Sequence, residues 1–229
     1  WPSIHISSAV TGADGDRKRN SKWLNCEIYF GGGDGDQTFL PHGDFLFDGG
    51  LMETVTRMSS HGFYFNVAND NYRIVNSTFR RVATDAGKNC VSIRGSGGDT
   101  WTSNISIDNN TFINCGRINV GDSTTSNRVH RVSITNCLGT GVVVNMAEAR
   151  YVTISGGVYG NITAVEDCKD IKLIGLTADT IDLSSVDMNY DITVDNCTWK
   201  TMLGLSNNEG VKVTNGTCID PYTKVTNLV

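Results

Sequence analysis

The stretch DITVDNCTW, residues 191–199, alternates apolar and polar side chains and then stops at an Asn. The same shape returns as RVSITNCLG at 131–139 and as NISIDNNTF at 104–112. Aligned on its last position, the pattern recurs at Asn76, Asn109, Asn136, Gly156, Gly175, Asn196 and Asn215, with gaps of 33, 27, 20, 19, 21 and 19 residues. Two and four residues before each anchor stand apolar side chains, from Tyr72 and Ile74 through Ile105 and Ile107 to Val211 and Val213. Alternation at period two is the mark of a strand with one buried face. After most anchors a second short strand is expected, carried by Val142 and Val144, Ile162 and Ala164, Ile181 and Leu183, and Leu203 and Leu205.

A period near 20 residues built of short strands is a solenoid signature. The Leu-x-x-Leu-x-Leu framework of leucine-rich repeats is missing, so the expected fold is all-β, a right-handed, single-stranded parallel β-helix. Its handedness follows from the general rule for parallel crossovers. Successive coils stack about 4.8 Å apart, and equivalent residues form ladders. Asn suits such a ladder because it tolerates a left-handed backbone and its amide can bond the amide one coil up. Gly meets the same backbone demand. The organisation expected is one domain, with irregular N-terminal coils and loops over 1–61 and regular coils over 62–229. KWLNCEIYF and GFYFNV read as less regular rungs upstream. With Trp at its first position, the chain reads as a piece of a longer one.

Composition narrows the function. A net charge of -5, with DRKRNSK at 16–22 as the one basic run, argues against a nucleic-acid groove. No apolar run is long enough for a membrane span. Seven cysteines without a C-x-x-C pair point to buried thiols rather than zinc or thioredoxin chemistry. Cys137 and Cys197 both follow an anchor but stand three coils apart, about 14 Å, too far for a disulfide. Six N-x-S/T sequons occur, at Asn76, Asn104, Asn109, Asn161, Asn196 and Asn215; four of them are ladder positions whose side chains are committed to turns.

Function in a solenoid sits on departures from the repeat. RRVATDAGKNC and RGSGGDTWTS interrupt the regular spacing between Asn76 and Asn109, and GDSTTSNRVH does so before Asn136. The corner that follows the second strand carries Asp70, Asp99, Asp122 and Glu148 in consecutive coils, with Trp101, Arg94, Arg128 and His130 nearby. Carboxylates one rung apart would lie near 5 Å, and two rungs apart near 10 Å. Those separations bracket the retaining and inverting geometries of glycosidases. Asp99, Asp122 and Glu148 are therefore the candidate acid and base or nucleophile. Trp101 is a candidate sugar platform, and Arg94 and Asp70 are further substrate contacts. The competing reading of these acids is ordinary turn composition, because the corner stays acidic at Asp167, Asp187 and Glu209. No cofactor is expected. GGGDGDQTF resembles one copy of a Gly/Asp calcium repeat, which makes Asp34 and Asp36 the only suggested Ca²⁺ ligands. No metal-ligand spacing joins His5, His42, His61 and His130.

The rungs YRIVNSTF, ISIDNNTF, VSITNCLG and ITVDNCTW, with the lead-in FDGGLMETV, resemble those of the pectate-lyase-like β-helix superfamily, and within it bacteriophage tailspike depolymerases. The resemblance covers about residues 45–220. It implies a homotrimer at a virion tail, extracellular and in contact with other tail proteins. Such a trimer binds and often cleaves a bacterial surface polysaccharide, capsule or O-antigen. No family catalytic motif carries across residue by residue. Three functions are open: a polysaccharide depolymerase, glycoside hydrolase rather than lyase; a non-catalytic receptor-binding or structural β-helix of a tail fibre; and a cellular lyase or epimerase of the superfamily.

Overall fold

The computed structural model of the chain describes residues 21–30, 44–54, 62–65, 71–84, 89–94, 102–121, 129–184, 188–204 and 208–219. Every strand pairing among them is parallel, and the strands stack as a parallel β-helix. Each full coil has three faces. The first face is the anchor strand, as in Thr102–Asp108, Val129–Thr135, Ala149–Ser155, Lys169–Ile174 and Asn189–Asp195. After the anchor come a second face (Thr78–Arg80, Thr111–Ile113) and a third (Asn89–Ile93, Arg117–Val120, Val143–Ala147). In the upper coils the last two faces merge into one strand, Val158–Glu166 being the longest.

The anchor ladder has nine rungs, because Asn25 and Gly49 join the seven aligned positions. All nine have left-handed backbone, with φ between 51° and 66°. Each turn is pinned to the next coil: Asn76 N–H donates to the Asp108 carbonyl at 3.0 Å, and Asn136 N–H to that of Ser155 at 2.9 Å. The expected amide bond forms between Asn76 and Asn109, Asn109 Nδ2 donating to Asn76 Oδ1 at 2.9 Å. Elsewhere the anchor amide turns to the carboxylate preceding another anchor, as Asn76 does to Asp48 and Asn215 to Asp195. KWLNCEIYF is a rung, with Asn25 as its anchor. GFYF is not a separate rung: Phe63–Phe65 pairs with Asn89–Ile93 as the third face of the Gly49 coil.

The core is a set of inward ladders. Positions four and two before the anchor are buried over most of the stack, from Phe45 and Phe47 through Ile192 and Val194. The second face adds one inward side chain per rung, Met52, Phe79, Phe112, Tyr159 and Trp199 among them. A strand of two or three residues with a single inward position leaves no period-two signal, and that is why this face was not separated from the turn in sequence. On the third face Val144, Ile162, Ile181 and Met202 share the inward position. The expected inward Leu203 is instead paired with Asp182 and exposed. Early coils are filled by aromatics, with Phe47 and Phe63 centroids 5.1 Å apart and Phe79 stacked on Phe112 at 4.9 Å.

All seven cysteines are free thiols. Cys137 and Cys197 are buried directly after their anchors, their sulfurs turned towards backbone carbonyls. Burial pushes the thiols of Cys115, Cys137 and Cys168 up to about 11 and raises that of Cys90. A thiol that holds its proton so tightly is packing material, not a nucleophile.

Candidate functional site

A second left-handed ladder runs five residues before the anchors. It consists of Asn71, Asn104, Arg131, Tyr151, Asp170, Asp191 and Gly210, with φ from 54° to 70°. It makes a ridge along one edge of the first face. Behind it, Ser103, His130, Arg150, Lys169 and Tyr190 pair rung by rung. The next corner, between third and first faces, holds Glu148 (φ 48°) and Asp167 (φ 38°) in equivalent turns of neighbouring coils. Glu148 N–H donates to the Glu166 carbonyl at 2.8 Å, so the turn is held from the coil above. Arg150 reaches Asp167 at 3.6 Å.

Beyond that corner the outer side of the third face is an amide and hydroxyl ladder, Ser92, Asn119, Asn145 and Thr163 in register. Asn145 Nδ2 donates to Asn119 Oδ1 at 2.9 Å, and Asn119 Nδ2 to the Gly121 carbonyl at 2.5 Å. Asn89–Ile93 is buried at all five positions, so its outward side is covered as well. The whole is a polar edge parallel to the stack axis, with amides on one flank, carboxylates at the corner, and cationic and aromatic groups on the other flank.

Of the sequence-derived candidates, Asp70, Asp99, Trp101 and Asp122 lie outside the described residues, as do Asp34 and Asp36. Glu148 and Arg94 are described, both half-buried and both at this corner. Arg94 N–H donates to the Phe65 carbonyl at 2.6 Å, and its own carbonyl accepts from Thr102 Oγ1 at 2.8 Å. Its predecessor Ile93 pairs with Val120, and Val120 with Met146, so Arg94 and Glu148 share an edge about two rungs apart. Arg131 and Tyr151 were not found in sequence. The slot they fill carries Asn, Asp or Gly in the other five rungs, and that regularity was the available signal.

A separate charged cluster sits on the second face of the early coils. Glu53, largely buried, pairs with Arg80 at 3.2 Å and with Arg81. The Arg81 hydrogen bond is the main cause that holds the Glu53 carboxyl below its usual range. A depressed carboxylate contributes stability above its unfolded value, about 4.3. That contribution is lost as pH falls through the lower folded value. Glu53→Gln is therefore expected to lower the urea midpoint at pH 7, and the gap from wild type should close below pH 4. A gap of constant size across that range, measured by urea titration, would exclude the charge as its cause.

Among the described residues no group of three or more His, Cys, Asp or Glu could hold a metal ion, and no helix is long and apolar enough to cross a membrane. With this geometry in hand, the chain was compared with known proteins. No family model, no curated protein and no solved structure matches it.

Proposed function

We propose that the chain is a tailspike-like β-helix that binds a bacterial surface polysaccharide along the polar edge and hydrolyses it at the corner of Glu148. The observation that carries this reading is the position of Glu148. It stands on a turn pinned by its own backbone, between an amide ladder and a cationic, aromatic ridge that both run along the axis. An extended glycan laid along such an edge would meet the partly open Asn145 and Thr163 on one flank and the ridge side chains on the other.

Gly121 is level with Ala147 through the pairing of Val120 with Met146. Asp122 follows Gly121 in sequence and is the second carboxylate that the repeat spacing predicts for a rung adjacent to that of Glu148. Carboxylates about 5 Å apart suit a retaining hydrolase, one acting as nucleophile and the other as acid and then base. Asp99 would be the alternative second carboxylate, and Arg94 and Trp101 would hold the sugar. Homotrimerisation and attachment to a virion tail belong to the same proposal.

The test is reducing-end release from purified capsular and O-antigen polysaccharides by wild type, Asp99→Asn, Asp122→Asn and Glu148→Gln. Glu148→Gln is expected to lose at least about 100-fold in turnover while melting as wild type does. Full turnover in all three variants would overturn the assignment of the corner. A second reading, a receptor-binding module without chemistry, is favoured by the short turns of 129–184 and by the charge pairing of Asp167 with Arg150. Binding without turnover on any glycan would select it.

A further inference from the structure

We infer that Arg131 and Tyr151 form a subsite for a carboxylate-bearing sugar unit, an inference that rests on the polysaccharide reading above. Seven rungs share the left-handed slot five residues before the anchor, and five of them carry Asn, Asp or Gly. Those residues enter that conformation readily, whereas the β-carbon of other side chains crowds the following carbonyl oxygen there. The two exceptions are consecutive: Arg131 at φ 54° and Tyr151 at φ 56°. The chain thus departs from its own economical choice twice in a row, at neighbouring positions about 4.8 Å apart. Strain kept at adjacent exposed positions points to a role for the side chains themselves.

Both side chains face solvent, Tyr151 being 55% exposed. Arg131 forms no ion pair among the described residues, and the Tyr151 ring meets the His130 imidazole edge-on at 5.9 Å and 75°. The slot faces solvent in most rungs, so it is the replacement of Asn, Asp or Gly by two larger side chains, not their exposure, that marks this pair. An exposed phenol ring offers a flat apolar surface to the C–H face of a pyranose. A guanidinium beside it offers a planar fork that matches a carboxylate. Together they fit a uronic or sialic acid residue better than a neutral hexose.

The charges around the pair are mixed, with cations behind the ridge and carboxylates at the corner and on the next rung. Arg150 and Lys169 stand behind the ridge on the next rungs, and Asp167 is paired with Arg150. Glu148 lies at the neighbouring corner. Asp170 follows Tyr151 on the ridge, two rungs beyond Arg131, and its like charge directs an acidic sugar towards the Arg131 side of the pair.

The test uses the whole chain and three acidic probes, oligogalacturonate, hyaluronan oligosaccharides and oligosialic acid, each beside its carboxyl-reduced form. Binding is read by calorimetry for wild type, Arg131→Asn and Tyr151→Asn. Wild type is expected to bind at least one acidic probe ten-fold or more tightly than its reduced form. Each variant should lose ten-fold or more on that probe. Each should also melt about 2–4 °C higher, because Asn relieves the left-handed strain. Equal binding of acidic and reduced forms would overturn the subsite while leaving polysaccharide binding in place. No binding of any probe by wild type, together with no binding of the capsular and O-antigen panel, would overturn both. Variants that lose binding but melt lower than wild type would show these residues to be structural, and the subsite would fall.

Discussion

Gly121→Ala is expected to destabilise the chain by about 2–5 kcal/mol, the sum of a left-handed penalty and an overpacking penalty. Gly121 sits at φ 85°, at the corner that leads towards the candidate site. A β-carbon there would lie 1.7 Å from the Ala147 carbonyl oxygen and 2.9 Å from its carbon. Neither backbone can yield easily. Gly121 N–H is bonded to the Ile93 carbonyl at 2.8 Å, and the preceding residue, Val120, is paired with both Ile93 and Met146. Against a typical total stability of about 5–15 kcal/mol, this loss takes a large share. Urea unfolding followed by fluorescence measures it. Gly175→Asn is the matched control, since Gly175 has φ 59° and its nearest neighbour to an added β-carbon is 4.0 Å away. Asn tolerates that backbone and narrows the unfolded ensemble, so this variant should keep or raise the midpoint. A Gly121→Ala protein that unfolds with wild type would mean that the corner is loose.

The anchor ladder was legible in sequence because its backbone demand is severe and few residues satisfy it. At a rung every copy must be left-handed, so Asn or Gly appears seven times in the alignment, and the flanking strand must turn alternate side chains inward. The ridge was illegible for the opposite reason. Its conformation is the same, but exposure lets the side chain vary, and Arg131 and Tyr151 are unremarkable until their φ values are known. The second face was hidden because Phe79, Phe112 and Trp199 are single inward residues with no alternating neighbours. For the site, sequence found the acidic corner of Glu148 and the edge of Arg94. It did not find the amide ladder of Asn119 and Asn145, since their register emerges only once Arg117–Val120 and Val143–Ala147 are aligned as neighbouring coils. At turns Asp and Asn serve the backbone, so their presence in sequence says little about chemistry there, whereas a bulky side chain in the same slot is a departure from the repeat.

Asn110→Ala is expected to cost about 2–6 kcal/mol without disturbing a surface group, and it tests whether buried polar contacts hold the coils in register. Asn110 is buried directly after its anchor, the slot that holds Cys137 one coil later. Its Oδ1 accepts from Ser77 N–H at 2.9 Å, and its Nδ2 donates to the Ile74 carbonyl at 2.7 Å. Ser77 in turn accepts from Gly50 N–H at 3.1 Å, so one amide anchors a relay through three coils. Truncation would strand a backbone donor and a backbone acceptor away from water, at about 1–3 kcal/mol each. Cys137→Ala makes the comparison sharp. The Cys137 sulfur approaches the Ile107 and Thr135 carbonyls at 3.6 and 3.4 Å, contacts of a weak donor, and its loss should cost about 1 kcal/mol. If the two variants unfold at the same urea concentration, the relay contributes no more than packing does. If Asn110→Ala is the weaker by the expected margin, the early coils, where the aromatic core is thickest, depend on a buried polar chain for their stacking.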